Sequence, residues 1–219
     1  MTGELNRAAV IAEAEEYVRG KLAGDFSGHD WQHIERVRRS ALAIAQEEGA
    51  DLFVCELAAL LHDAADEKLV DDAEGALKEI RGWLLARAVP EPMADHVLEI
   101  ISTMSFKGGS NPPMRTPEGK VVQDADRLDA LGAIGISRVF AYSGAKRRPI
   151  HDPAVKPRES MTPEEYRSGN DTAINHFYEK LLKLKDLMNT ETARRLAEGR
   201  HAFMERFLEQ FYAEWEGRR

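Results

Sequence analysis

Cysteine is almost missing from this chain. The one that is present, Cys55, excludes an intrachain disulfide, and its place in the apolar run Leu52-Phe53-Val54-Cys55, with no basic neighbour, reads as core packing rather than a nucleophile. No apolar stretch approaches the roughly 20 residues that a membrane-spanning helix needs. The opening residues, Met1-Thr2-Gly3-Glu4-Leu5-Asn6-Arg7, lack the basic-then-apolar order of a secretion signal, so a cytoplasmic protein with no membrane partner is expected. Proline and glycine are not enriched, at 9 and 16 in 219 residues, which separates the chain from disordered and fibrous sequences. Basic residues are outnumbered, 30 Lys and Arg against 38 Asp and Glu. The formal charge of -8 argues against a groove for duplex nucleic acid, which draws on basic contacts to phosphates. Small anionic substrates stay open, with a bound cation supplying locally the positive charge the chain lacks.

Repeats and strand-like alternation are absent too, and helical spacing dominates. Ile11, Ala14, Val18 and Leu22 recur at that spacing, as do Ile34, Val37, Ala41 and Ile44, with Ser27 or Asp30 available to cap the second helix. Further helices are expected over about 52–65, 73–88 and 93–104. Residues 105–120, rich in Gly and Pro, read as a loop or lid, with helix resuming by Val121 or Val122. Residues 142–161 mix Gly, Pro and basic side chains and read as an exposed, partly mobile excursion. Thr162-Pro163-Glu164-Glu165 then restarts a helix. Two helices follow from Asp171 to Trp215, parted near Met188-Asn189-Thr190. The second is amphipathic through Ala202, Phe203, Phe207 and Phe211, and is a candidate face for a homodimer. The expectation is one all-α domain, a helical bundle with its core over about 25–140 and carboxy-terminal helices over about 162–216.

His62 and Asp63 follow Leu57-Ala58-Ala59-Leu60-Leu61, so a neutral imidazole and a carboxylate are presented together from buried surroundings. Burying both without a partner carries a large desolvation cost, which makes them half of a divalent-metal site. Gly28-His29-Asp30-Trp31-Gln32-His33 and Gln123-Asp124-Ala125-Asp126-Arg127-Leu128-Asp129 offer the missing imidazole and carboxylate. Helical spacing sets Asp66 beside the pair, where a base could meet a metal-bound water. The plainer readings are that a histidine at a helix start caps it, that Lys107, Lys68 and Arg127 are solvated or ion-paired, and that Trp31, Phe106 and Tyr178 pack in the core rather than stack on a base.

The ordered set His33, His62-Asp63, Asp126 resembles the HD-domain superfamily of metal-dependent phosphohydrolases. The segments 28–37, 60–66, 105–108, 123–130 and 175–181 look like a bacterial subfamily of it that includes deoxynucleoside-triphosphate pyrophosphohydrolases. The resemblance implies an all-α bundle and four metal ligands, His33, His62, Asp63 and Asp126, with Asp124 the rival for the fourth place. It also implies a water-activating acid three residues after the pair. That position holds Asp66, one methylene shorter than the family's usual Glu, with Glu67 as second choice. A six-coordinate N/O site suits Mn2+, Mg2+, Fe2+, Co2+ or Ni2+. Lys107 before Gly108-Gly109, together with Lys68, Arg127, His29, His176 and Lys180, are the candidate contacts to substrate phosphates. The function implied is hydrolysis of a (d)NTP to the (d)NMP and pyrophosphate. The alternatives are a phosphomonoesterase, a non-catalytic nucleotide sensor, and a purely structural helical module.

Overall fold

A computed structural model describes residues 4–22, 30–66, 70, 72–105, 113–158 and 171–218. Every regular element among them is helical, as an all-α chain requires: α1 (Arg7–Lys21), α2 (Trp31–Glu48), α3 (Leu52–Leu61), α4 (Ala73–Ala86), α5 (Glu91–Thr103), α6 (Pro117–Asp129), α7 (Gly132–Ala145), α8 (Ala173–Glu179), a 3₁₀ segment (Leu181–Leu187) and α9 (Glu191–Trp215). Most start where a short polar side chain can accept an orphan amide proton: Asn6, Asp30, Asp51, Asp72, Thr172 and Thr190 each cap the helix that follows. Helix α2 stops at Gly49, whose φ of 72° lies in the left-handed region that glycine enters without strain.

Two compact units divide the chain within α6, the first running through Ala125 and the second starting, but for a few residues, at Asp126. At the centre of the first is α3, where Phe53, Val54, Cys55 and all of Leu57–Leu61 are buried and Glu56 is the one charged side chain. Helices α1, α2 and α5 surround it and α4 packs on α5. Arg38 of α2 ties this group together, reaching Glu15 of α1 at 2.7 Å and Glu56 of α3 at 2.6 Å. In the second unit α7 packs on α8 and α9.

Several boundaries differ from those read in the sequence. The α-helical ladder of α3 ends at Leu61 instead of running to 65, because the next bonds tighten to i→i+3: Ala64 N–H to Leu61 O at 3.0 Å, then Asp66 N–H to Asp63 O at 3.2 Å. Helix α6 begins at Pro117, inside the stretch read as loop. Thr116 Oγ1 accepts the Gly119 amide at 3.1 Å and Pro117 takes the first helical position, where its missing N–H is harmless. Helix α7 continues to Ala145, so irregular chain starts only at 146. Segment 146–158 is bound to α8: Pro149 O and Ile150 O accept the Ala173 and Ile174 amides at 3.0 Å, and Asn175 Nδ2 donates to Val155 O at 3.0 Å. Along α9 the buried residues include Ala193, Ala197, Met204 and Leu208, and Phe203, on the face read as amphipathic, is 43% exposed. The middle of the lid expected over 105–120, residues 106–112, and the helix start expected at Thr162 lie outside the described residues.

Candidate metal centre

The first turn of α2 aims His33 inward. Asp30 Oδ1 accepts the His33 amide at 2.9 Å, the neighbouring Ile34 and Val37 are fully buried, and His33 itself is 0% exposed. From α3, the tightened turn that begins at His62 presents the second imidazole. Its Nδ1 lies 2.8 Å from Ala59 O, a carbonyl that can only accept, so Nδ1 carries a proton, and in the neutral ring that a metal requires Nε2 holds the lone pair. Asp63 is next along the turn, and both it and His62 are buried.

These three side chains converge. His33 Nε2 and His62 Nε2 are 3.2 Å apart, and Asp63 places Oδ2 3.5 Å from the first and Oδ1 3.4 Å from the second. Ligand atoms held about 2.0–2.2 Å from one ion stand about 3–3.5 Å from each other, so this triangle has the dimensions of a coordination face. Two nitrogens and a carboxylate oxygen, all buried, form a donor set for a divalent transition metal and would carry a desolvation penalty without one. The residues present therefore fit a metal ion.

Three residues after Asp63, Asp66 Oδ2 accepts a hydrogen bond from Ser105 Oγ at 2.9 Å. On α6, Gln123 Nε2 donates to Met104 O at 3.1 Å, Asp124 is 0% exposed, and Asp126 is partly exposed. Arg127 donates to the Leu187 carbonyl, and Asp129 pairs with Arg138 at 3.0 Å. His176 and Lys180 are half-buried at α8 and its end. Glu179 is buried and held by Arg158 at 2.7 Å. Trp31 carries the Arg19 guanidinium over its ring at 3.7 Å, and Tyr178 hydrogen-bonds Tyr212. His29, Glu67, Lys68, Phe106 and Lys107 lie outside the described residues. Cys55 is buried, as read, and its thiol is pushed up to about 12, by burial first and then by the Glu118 and Asp51 carboxylates.

The HD domain family matches residues 30–131, a span that includes all three converging side chains. Over 205 residues the chain is 42% identical to the Bacillus subtilis protein YpgQ, covering 91% of this chain and 92% of that one. The chain belongs to the HD-domain superfamily of metal-dependent phosphohydrolases. Among solved structures, a Lactobacillus plantarum protein is 45% identical with a TM-score of 0.87, covering 97% of this chain and 99% of its own. A Bacillus thuringiensis HD-superfamily hydrolase is 47% identical with a TM-score of 0.77, covering 97% and 100%. YpgQ in complex with ADP is 40% identical with a TM-score of 0.76, covering 94% and 98%. This HD protein is thus an enzyme, a metal-dependent phosphohydrolase. Among its described residues no helix is long and apolar enough to cross a membrane.

Proposed function

We propose that this HD phosphohydrolase acts on nucleotides, cleaving a (d)NTP to the (d)NMP and pyrophosphate. The observation that carries the reading is the ADP bound by YpgQ, a relative aligned over nearly the whole of both chains. A nucleoside polyphosphate also suits an acidic protein that concentrates positive charge at one buried ion.

In this reading His33, His62 and Asp63 hold a single divalent ion, manganese being the first choice, and α6 supplies a fourth ligand. The family pattern assigns Asp126 to that place, with the fully buried Asp124 its rival. A bound ion of this kind lowers the pKa of a coordinated water and polarises the phosphoryl group. Asp66 accepts the proton of the attacking water as its oxygen bonds to the α-phosphorus. The α–β bridging P–O bond breaks, and pyrophosphate leaves with the bond's electron pair. Glu67 is the second choice for the base. Lys107, Lys68, His29, His176 and Lys180 are proposed to neutralise the phosphate oxygens. The Arg127 guanidinium, already engaged with the Leu187 carbonyl, is better suited to bracing the 3₁₀ segment.

Incubating nucleoside mono-, di- and triphosphates with the manganese-loaded enzyme and identifying the products tests the reading. Pyrophosphate from a triphosphate is the expected result. Orthophosphate from a monophosphate would replace it with a phosphomonoesterase, and no turnover of any member with metal bound would overturn it.

A further inference from the structure

Asp66 lies just past the turn that presents His62 and Asp63, where the helical ladder no longer constrains the chain. Its carboxylate is nonetheless held, because Ser105 Oγ donates to Oδ2 at 2.9 Å from a residue 39 positions away. Ser105 is itself well placed. It follows Met104, the residue that closes α5 with its amide on Ile100 O at 3.0 Å, and the Met104 carbonyl accepts a buried hydrogen bond from Gln123 Nε2 at 3.1 Å. Two consecutive residues thus link α6, through Gln123, to the turn after α3, through Asp66. Gln123 immediately precedes the fully buried Asp124.

We propose that Ser105 is a positioning residue for catalysis, holding the Asp66 carboxylate in the orientation from which it takes the proton of the attacking water. The inference rests on the reading of Asp66 as the base. Its physical content is that a short acidic side chain on irregular backbone has several rotamers, and a hydroxyl fixed at the end of a neighbouring helix selects one. Small misplacements of a proton acceptor are costly to turnover while leaving substrate binding alone.

The test is a double-mutant cycle on the manganese-loaded enzyme, with Ser105→Ala, Asp66→Asn, the double variant and Ser105→Thr. They are assayed on whichever member of the mono-, di- and triphosphate panel the parent hydrolyses fastest. The expected result for Ser105→Ala is a fall in kcat of about 10- to 100-fold, the range for removing a supporting hydrogen bond, with KM and manganese affinity within about twofold of the parent. Ser105→Thr, which keeps the hydroxyl, restores most of kcat, and the double variant is no slower than Asp66→Asn alone. If Asp66→Asn is inactive but Ser105→Ala retains the parent's kcat, the Ser105 role is wrong while the base assignment stands. An additive double variant, or a Ser105→Ala loss seen in KM or metal affinity instead of kcat, would equally overturn it. If Asp66→Asn keeps full activity, or if the parent hydrolyses no member of the panel, the base assignment fails and the inference falls with it.

Discussion

His33 Nε2 and His62 Nε2 face each other across 3.2 Å, each also within 3.5 Å of an Asp63 oxygen. With the Nδ1 proton of His62 committed to Ala59 O, the His62 lone pair points at its neighbour, an arrangement that a shared cation stabilises.

Removing either imidazole should therefore abolish metal-linked stability. In the parent, manganese at 100 times its Kd adds about 2.7 kcal/mol, a rise in Tm of roughly 5–10 °C for a chain of this size. His62→Ala and His33→Ala should lose that rise together with activity. Thermal unfolding with manganese and with EDTA checks this, and an undiminished rise in both variants would contradict it.

The α2 cap bears on the same site, because the amide that Asp30 caps belongs to His33. Asp30→Ala should lower stability by about 1 kcal/mol, or 2–4 °C in Tm, and weaken manganese binding by letting the first turn fray. Asp30→Asn, which keeps an acceptor, should stay near the parent in both. Titration calorimetry with manganese on the three proteins separates these outcomes.

These two predictions concern features that sequence carries openly. His62-Asp63 after five apolar residues is a local signal, since buried charge is rare without a partner, and Asp30 precedes a periodic apolar run as a cap should. Less local features escape. The early end of α3 has no Gly or Pro to announce it, because the turn keeps winding as i→i+3 bonds. The start of α6 at Thr116-Pro117 is a local signal, hidden within a stretch whose Gly and Pro content reads as loop. Ser105 with Asp66 and Arg158 with Glu179 join residues 39 and 21 apart, and no periodicity ties such pairs.

Cys55 should be inert. A thiol pushed up to about 12 and buried in α3 presents almost no thiolate at neutral pH. Iodoacetamide should leave the native enzyme unmodified and alkylate Cys55 only after denaturation, as mass spectrometry would show. Rapid native labelling with loss of activity would contradict this placement.

Buried Glu179 gives the second unit a pH dependence. Burial pushes its carboxyl up, but side-chain and backbone hydrogen bonds from Arg158 outweigh that and hold it below its ordinary value. A folded pKa below the unfolded one means that the stability it contributes is present above the ordinary carboxylate range, near pH 4.3, and lost as pH falls through the lower folded value. Asp171, raised chiefly by burial, works in the opposite sense, since its contribution is lost as pH rises through its folded value. Glu179→Gln should therefore flatten the acid side of the stability curve. Arg158→Met, which strands a buried carboxylate, should cost about 3 kcal/mol at neutral pH, discounted for an arginine a quarter exposed. Urea unfolding from pH 3 to 8 measures both, and an unchanged acid slope in Glu179→Gln would contradict the assignment.

The most direct measurement is anomalous diffraction at the manganese edge from crystals of the manganese-loaded enzyme. One peak within about 2.3 Å of His33 Nε2, His62 Nε2 and an Asp63 oxygen is the predicted result. A fully active crystal form with no anomalous density between those three atoms would contradict it.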